Sequence, residues 1–378
     1  MRSAFLAFHE RHYRARVMKL AVCGMESLDV LEQWVRTMFS FVNSRGAAYD
    51  ATAAAAAAHE VPPFRPGREL GIIISVTPVR DMRRLEFAWP LPPQDVLWRS
   101  KPGQYVARAI AQQGPCSLMS ILRVRGLAVG LTAGITESYS AFSIITASIE
   151  LTELGVERVD DIAGAFFHWV DLLRRAGPQE ECFREMQAEA AIAFRFKDKG
   201  RVFAYVTEVA AAMQLLPPEY CLCGGALAYD YDPGSIAVVL EALSPASVRM
   251  RFIARGREAA CPLIEKWYGC IKYGVAALEA GRVQMWRASS PPPELTLPAR
   301  NIFIASDFSL SDRGPAAALP LLLRDDASAR IFFSPNSAFL LPKTVLNLRI
   351  VSPCVARSPS GAVMARLFTM LVKEALTE

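Results

Sequence analysis

Histidine is scarce in this chain, and the few histidines do not form a known metal-binding motif. The 378 residues contain four histidines, at positions 9, 12, 59 and 168. Two helical motifs, H-E-x-x-H and H-x-x-E-H, place two zinc-binding imidazoles one turn apart with a glutamate beside them, and neither occurs here. The stretch His9-Glu10-Arg11-His12 is one residue too short for the first motif. We therefore predict no metal ligand among these histidines.

Three further absences narrow the class of protein. The eight cysteines include no C-x-x-C pair, which favours reduced thiols in a cytosol-like compartment over a disulfide framework or a zinc finger. No apolar run approaches the length of about 18 residues that a membrane-spanning helix needs. The 42 Lys and Arg residues nearly balance the 37 Asp and Glu residues. We therefore predict no nucleic-acid partner, since nucleic-acid binding usually needs a dense basic face.

The N-terminal residues are basic and permit two interpretations of location. Among the first 19 residues a single acid, Glu10, opposes five basic side chains, which are Arg2, Arg11, Arg14, Arg16 and Lys19. This composition fits an organellar transit peptide. The stretch nevertheless runs without a cleavage-like break into residues 17–23, which are predicted to form a strand. We therefore expect a cytoplasmic protein, with organellar targeting as the alternative.

Hydrophobic periodicity predicts both strands and helices. The segments "LGIIISVTPV" and "LEFAWPLP" predict two strands that form a hairpin over residues 70–90, and two more strands are predicted at 127–134 and 139–151. Apolar residues at helical spacing predict long helices over 156–175 and 178–196. Strands are also predicted at 330–333 and 345–352. Proline-rich or low-complexity segments predict linkers at 45–68 and 288–320.

Several segments, all in one order, resemble the insulysin and nardilysin family, the pitrilysin-type zinc metallopeptidases. The resemblance covers almost the whole chain. It is carried by "AFHERHYRARVMKLAVCGMESLDVLEQWVRTMFSFV", "KPGQYVARAIAQQGPCSLMSILRVRGLAVGLTAG", "ELTELG", "GPQEECFREMQAEAAIAFRFKDK", "EKWYG", "LPARNIFIASDFSL" and "FFSPNSAFLLPKTVLNLRIVSP". In this family "FH" precedes the first-domain strand and lies outside the zinc site.

The resemblance implies an α+β fold of repeated two-layer domains, each a mostly antiparallel sheet covered by helices. Four such domains would close around a peptide chamber. The implied segments are the end of the first, catalytic domain at 1–44, a linker at 45–68, a second, non-catalytic domain at 69–287, a linker between the two halves at 288–320 and the start of the third domain at 321–378.

The resemblance also implies that catalysis lies outside this chain. Family enzymes bind zinc through H-x-x-E-H and a downstream glutamate, and the motif glutamate acts on the zinc-bound water. These residues would precede Met1, so we expect zinc in the complete enzyme but none bound to this chain, and no catalytic residue. Since both ends look cut inside a domain, a fragment of an endopeptidase is favoured. The alternative is a natural pseudo-peptidase or scaffold that binds peptides or a catalytic partner.

The implied binding site is an exosite for the N-terminal part of a peptide substrate. Family exosites add an extended peptide to a free sheet edge, where backbone groups supply the contacts. The matching positions here are Gly114 in a turn and Leu131, Thr132, Ala133 and Gly134 in a strand. The family turn commonly reads G-H-E-G-P-G-S, whereas residues 111–117 read A-Q-Q-G-P-C-S. An ordinary strand and turn is the alternative.

A second implied contact is with polyanions. The stretch "FRFKDKGR" places Arg195 and Lys197 together, and family chambers bind anions such as nucleotides. Cations at the solvated end of a helix explain the same pattern and are favoured. The expected partners are peptide substrates, with the missing catalytic portion or a homologous subunit as a further partner, and neither nucleic acid nor a membrane.

Overall fold

The computed structural model describes residues 2–42, 64–267, 269–297, 299–310, 319–334 and 341–375. The chain divides into two compact units, one within residues 1–300 and one within 301–377. His59 and most of the predicted linker at 45–68 lie outside the described residues. The predicted domain limits stay predictions.

The first unit is built on one mixed sheet of seven strands within its described residues. The strands are β1 (Ile72–Thr77), β2 (Arg84–Leu91), β3 (Ala128–Ser138), β4 (Ser143–Leu151), β5 (Arg249–Ile253), β6 (Leu263–Ile264) and β7 (Lys272–Ala277). Their order across the sheet is β3-β4-β2-β5-β1-β7-β6. All neighbours are antiparallel except β1 and β5, which are parallel. A mostly antiparallel sheet flanked by helices confirms the α+β fold class.

The predicted hairpin over residues 70–90 is wrong. β1 and β2 both form, but they do not pair with each other, because β5 lies between them. β5 runs parallel to β1, with Ile73 opposite Met250, and antiparallel to β2, with Phe87 opposite the same Met250. The central strand therefore comes from a segment more than 150 residues further along the chain than β2.

Helices cover one face of the sheet. The described part of the first unit contains α1 (Arg2–His12), α2 (Leu28–Phe39), α3 (Pro102–Ile110), α4 (Leu118–Val124), α5 (Glu153–Glu157), α6 (Val159–Ala176), α7 (Glu180–Arg195), α8 (Val202–Leu215), α9 (Pro233–Ala242) and α10 (Ala280–Ala288). The backbones of α3, α4, α5 and α9 lie directly against strands of the sheet. The two long predicted helices, at 156–175 and 178–196, correspond to α6 and α7. α6 has buried residues along most of its length, so it forms the centre of the helical layer.

The core lies between α6 and the covered face of the sheet. Alternate residues of β2 are buried, which are Leu85, Phe87, Trp89 and Leu91. The Phe87 ring stacks on the ring of Phe166 from α6, with 4.3 Å between centroids. Because successive side chains of a strand point to opposite faces, the intervening residues lie on the other face of the sheet. We call that opposite face, which carries Arg84, Glu86 and Ala88 on β2, the open face.

Two predicted strands are absent from the described residues. Residues 17–23 contain the end of a short 3-10 helix, Ala15–Val17, followed by extended chain, and residues 345–352 form no regular element. Both segments are apolar and β-branched, as strands are. A strand also needs a neighbour for its backbone groups, and neither segment has a paired neighbour in the described part of the chain.

The second unit holds a hairpin and two helices in its described residues. β8 (Leu321–Asp325) pairs antiparallel with β9 (Arg330–Phe333), which confirms the strand predicted at 330–333. The helices are α11 (Pro353–Ala356) and α12 (Pro359–Ala375). The hairpin turn is fixed by the Asp326 carboxylate, which accepts hydrogen bonds from the backbone of Ser328 and Ala329. No helix within the described ranges of either unit is long and apolar enough to cross a membrane.

Candidate functional site: a sheet edge and an open groove

β3 is an edge strand of the sheet. Among the described residues it pairs with β4 on one side and with no strand on the other. The register is regular from Gly130 to Ile135 and is interrupted by irregularities on both sides, between Ala128 and Gly130 and between Ile135 and Glu137. The free edge therefore offers six consecutive residues in regular strand geometry.

Hydrogen bonds at the end of β4 show which backbone groups of β3 face outward. The Leu151 amide donates to Arg83 O at 2.9 Å, on the β2 side, and the next amide, of Thr152, donates to Leu127 O at 3.1 Å, on the β3 side. Because backbone groups alternate in direction along a strand, the even-numbered residues of β4 bond to β3. Their partners are Gly130, Thr132 and Gly134.

The remaining residues of the regular stretch direct their backbone groups to the free edge. These are Leu131, Ala133 and Ile135, each with one N–H donor and one C=O acceptor. Their side chains point into the protein, since Leu131 is buried and the other two are half-buried against the core. The buried side chains thus hold the edge strand on the core, while the backbone donors and acceptors of these three residues face away from β4.

The side chains between them lie on the open face. Thr132 is exposed, and a Cβ added to Gly134 would meet no atom within 4 Å. The structure therefore brings four of the five predicted exosite residues together on one edge strand. Whether they bind a peptide remains a prediction.

Gly114, the fifth predicted residue, lies in the turn that joins α3 to α4. It is buried, and its carbonyl accepts a hydrogen bond from the Ser117 amide at 3.1 Å. Cys116 in the same turn has a φ of 65°, and its carbonyl accepts from the Thr296 amide at 3.2 Å. Both helices that flank the turn pack against β3. Burial of Gly114 favours a role in holding this turn.

Ser117 caps the helix that follows the turn and gives a direct test of its rigidity. The Ser117 hydroxyl accepts from the Ser120 amide at 3.2 Å, and the residue is 1% exposed. We expect Ser117→Ala to lower the free energy of unfolding by about 1 kcal/mol, the usual cost of a lost N-cap. Urea unfolding followed by tryptophan fluorescence measures this, with Ser140→Ala as the control, because Ser140 is exposed and its hydroxyl bonds to no residue that the structure describes. An unchanged midpoint would show that the cap does not hold α4.

A groove of about 580 Å³ lies on the open face beside β3. The sheet register arranges its floor in rows that cross the strands. One row runs from Gly134 on β3 through Thr146 on β4 and Ala88 on β2 to Arg249 on β5. The next row runs through Thr132, Ser148, Glu86 and Arg251.

Ion pairs fill the second row and its neighbour. Arg251 Nε lies 2.7 Å from Glu86 Oε2, and Arg84 lies 3.7 Å from Glu86 and 3.4 Å from Glu150. Glu86 is only 8% exposed, so its charge is held by the two flanking guanidinium groups. Sequence reasoning missed these residues. Charged and apolar residues alternate in "RLEFA" and in "RMRFI", which is typical of strands with one charged face, but no local pattern shows that the two strands are neighbours.

Arg195 and Lys197, the predicted polyanion contacts, stand at the end of α7. Both are exposed; Lys197 Nζ lies 3.6 Å from Glu208 Oε2, and the Arg195 guanidinium lies over the Phe196 ring at 5.2 Å. Each cation therefore has an intramolecular partner. This arrangement is typical of a solvated helix end.

The histidines that the structure describes are engaged in packing. His9 stacks on Tyr13 with ring centroids 5.0 Å apart, and the buried His168 shares a hydrogen bond of 2.9 Å with Ser289 Oγ. In the described part of the chain no group of three or more His, Cys, Asp or Glu side chains is placed to hold a metal ion. These residues therefore do not fit a catalytic zinc site.

Comparisons with known proteins match this chain to one protein family and to a solved structure with the same fold. The inactive domain of M16 peptidases matches residues 2–190, and the middle or third domain of M16 peptidases matches residues 194–378. The crystal structure of pitrilysin superimposes with a TM-score of 0.77 over 89% of this chain and 35% of that chain, at 23% identity, and thus shares the fold.

Curated relatives match this chain over all or nearly all of its length. The chain is 30% identical over 382 residues to the peroxisomal insulin-degrading enzyme-like 1 of Arabidopsis thaliana, covering all of this chain and 38% of that protein. It is 31% identical over 381 residues to human insulin-degrading enzyme and 29% identical over 377 residues to mouse nardilysin, covering 36% and 32% of those proteins. The chain therefore spans less than two-fifths of the length of these relatives.

Proposed function

Since the chain belongs to the M16 peptidase family and matches the models of its inactive and middle domains, we propose that it is the peptide-holding part of a zinc metalloendopeptidase. The observation that carries this proposal is the free edge of β3. There Leu131, Ala133 and Ile135 turn their backbone donors and acceptors away from β4 while their side chains are held in the core.

The proposed contact is strand addition. An extended peptide that lies along β3 would exchange main-chain hydrogen bonds with the three outward residues. Because backbone groups make the bonds, the edge accepts many sequences. The irregularities on both sides of the regular stretch limit the paired segment to about six residues.

Hydrolysis of the bound peptide would occur in another part of the complete protein. Zinc there would supply a bound water of lowered pKa. The residues described here contribute binding and orientation, which confine the peptide before the chemical step. For the chain alone we expect peptide binding without peptidase activity. We place the protein in the cytoplasm or, as the name of the peroxisomal relative suggests, in an organelle.

Hydrogen exchange of individual amides tests the proposal on the full chain. The probe is the isolated insulin B chain, chosen because the human relative is named insulin-degrading enzyme. In the free chain we expect fast exchange at Leu131, Ala133 and Ile135, and slow exchange at Thr132 and Gly134, which already bond to β4. Saturation with the peptide should slow exchange at the three outward amides by about tenfold or more, since each gains a hydrogen bond.

The alternating pattern of protection is the decisive feature. Uniform slowing along β3 would indicate general stabilisation of the sheet. Saturable binding that leaves Leu131, Ala133 and Ile135 unprotected would place the peptide elsewhere and overturn the proposal. The amides of β6, at the opposite edge of the sheet, serve as the internal control and should not change.

A further inference from the structure

We propose that the groove on the open face is an anion subsite, in which Arg249 binds a carboxylate of the peptide that β3 holds. This inference rests on the proposed function and names the chemical class of peptide that the site prefers. It is carried by the shape of the groove floor and by the charge balance of its side chains.

The floor is low between β3 and Arg249. The row that leads from the edge consists of Gly134, Thr146 and Ala88, one from each successive strand. None has a long side chain, and a Cβ at Gly134 would meet only open space. Arg249 follows in the same row on β5, so the small residues form a channel that ends at a guanidinium group.

Arg249 differs from the other arginines of the groove in having no counter-ion. Arg251 pairs with Glu86, and Arg84 pairs with both Glu86 and Glu150. Arg249 is half-buried, and its side chain makes no hydrogen bond or ion pair with any residue that the structure describes. The remaining acid of the lining, Glu137, accepts a hydrogen bond from the Tyr139 hydroxyl at 2.8 Å.

A half-buried guanidinium without a partner favours a planar anion. A carboxylate can accept two parallel N–H bonds from it, which makes such pairs stronger than neutral hydrogen bonds. Arg84 and Arg251 are already paired with carboxylates, so Arg249 is the guanidinium group of the groove on which an added carboxylate would act.

The strand spacing predicts where in the peptide this carboxylate lies. β5 is three strand steps from β3. It is therefore four steps from a peptide added to the free edge of β3, or about 19 Å at about 4.8 Å per step. An extended chain advances about 3.3 Å per residue, so a peptide that leaves the edge and crosses the groove reaches Arg249 after roughly six residues. The preferred peptide therefore carries Asp or Glu roughly six residues from the segment paired with β3.

Binding of a matched peptide series to the full chain tests the subsite. Each fluorescein-labelled peptide has one five-residue β-prone segment followed by a flexible tail with either Glu or Gln at one of positions two to eight. Fluorescence anisotropy should show about tenfold tighter binding of the Glu peptide than of the Gln peptide near position six, the spacing that the strand distances give. In the Arg249→Gln variant the two peptides should bind equally, with the affinity of the Gln peptide unchanged.

Control variants separate this site from general electrostatics and from the proposed function. Arg80→Gln removes the same charge from an exposed position outside the groove and should keep the preference. Loss of the preference in both variants, or equal binding of Glu and Gln peptides at all positions to the wild type, would overturn the subsite while leaving strand addition intact. Absence of binding for every peptide would instead overturn the proposed function, and with it the subsite.

Discussion

Replacing Ala133 with proline should weaken peptide binding by about a hundredfold and leave the fold intact. Proline has no N–H, and the Ala133 N–H points to the free edge of β3, so the β4 ladder loses no hydrogen bond. The variant no longer offers the Ala133 N–H as a donor, so one carbonyl of the bound peptide is left without a hydrogen-bond partner. Together these effects cost about 2–3 kcal/mol, which corresponds to the expected loss of affinity.

The neighbouring position provides the matched comparison. The Thr132 N–H bonds to β4 opposite Ser148, so Thr132→Pro removes a ladder bond inside the sheet. We expect this variant to lose about 2 kcal/mol of unfolding free energy, because a buried backbone acceptor is left unpaired. The two prolines thus separate binding from stability at adjacent residues of one strand.

Two measurements on both variants decide the outcome. Anisotropy with the labelled insulin B chain gives the affinity, and urea unfolding gives the stability. Wild-type affinity in a folded Ala133→Pro variant would contradict strand addition at β3. If the effects were exchanged, with Ala133→Pro unstable and Thr132→Pro stable, the assignment of outward residues would be off by one.

The sequence predicted the elements of this site more completely than their arrangement. The alternation and turn residues of 127–151 predicted β3 and β4, because adjacent strands joined by a short turn depend on local contacts. The family resemblance then indicated Leu131–Gly134 as the exosite segment. The position of β3 at the edge depends on the order of all seven strands, which no local pattern contains.

Local sequence patterns could not predict the groove either, because it also depends on the order of the strands. Its floor joins side chains from β2, β3, β4 and β5, and the last of these strands begins at Arg249, 98 residues after β4 ends at Leu151. Local reasoning placed β1 and β2 in a hairpin because only a short loop separates them. Insertion of β5 between them is a long-range event, and it brings Arg251 to Glu86 and Arg249 to Ala88.

Gly155→Ala should destabilise the first unit by about 3 kcal/mol or more. A Cβ at this position would lie 2.0 Å from Leu127 O, where ordinary contact begins near 3.4 Å. Leu127 O cannot move away freely, because it accepts a hydrogen bond from the Thr152 amide at 3.1 Å. The Thr152 hydroxyl in turn caps α5 by accepting from the Gly155 amide at 2.9 Å. Overpacking against such a fixed backbone atom costs at the upper end of the usual range of about 1–3 kcal/mol, or beyond it.

The clash should also reach the binding edge, since Leu127 directly precedes β3. Relief of the contact requires the start of β3 to move away from α5, which alters the register of Leu131–Ile135 with β4. We therefore expect Gly155→Ala to lose peptide affinity as well as stability. Urea unfolding and anisotropy on the same preparation measure both, with Gly281→Ala as a control, because a Cβ at Gly281 in α10 would meet no atom within 4 Å.

Gly274 shows whether the loss of affinity is local to β3. A Cβ at Gly274 on β7 would lie 1.9 Å from Ala260 O, a clash of the same kind near the opposite edge of the sheet. Gly274→Ala should therefore lose comparable stability while its folded fraction binds peptide with wild-type affinity. If both variants lost affinity equally, binding would depend on the stability of the whole sheet. If Gly155→Ala kept both its stability and its affinity, the junction of β4 and α5 would not position the edge strand at all.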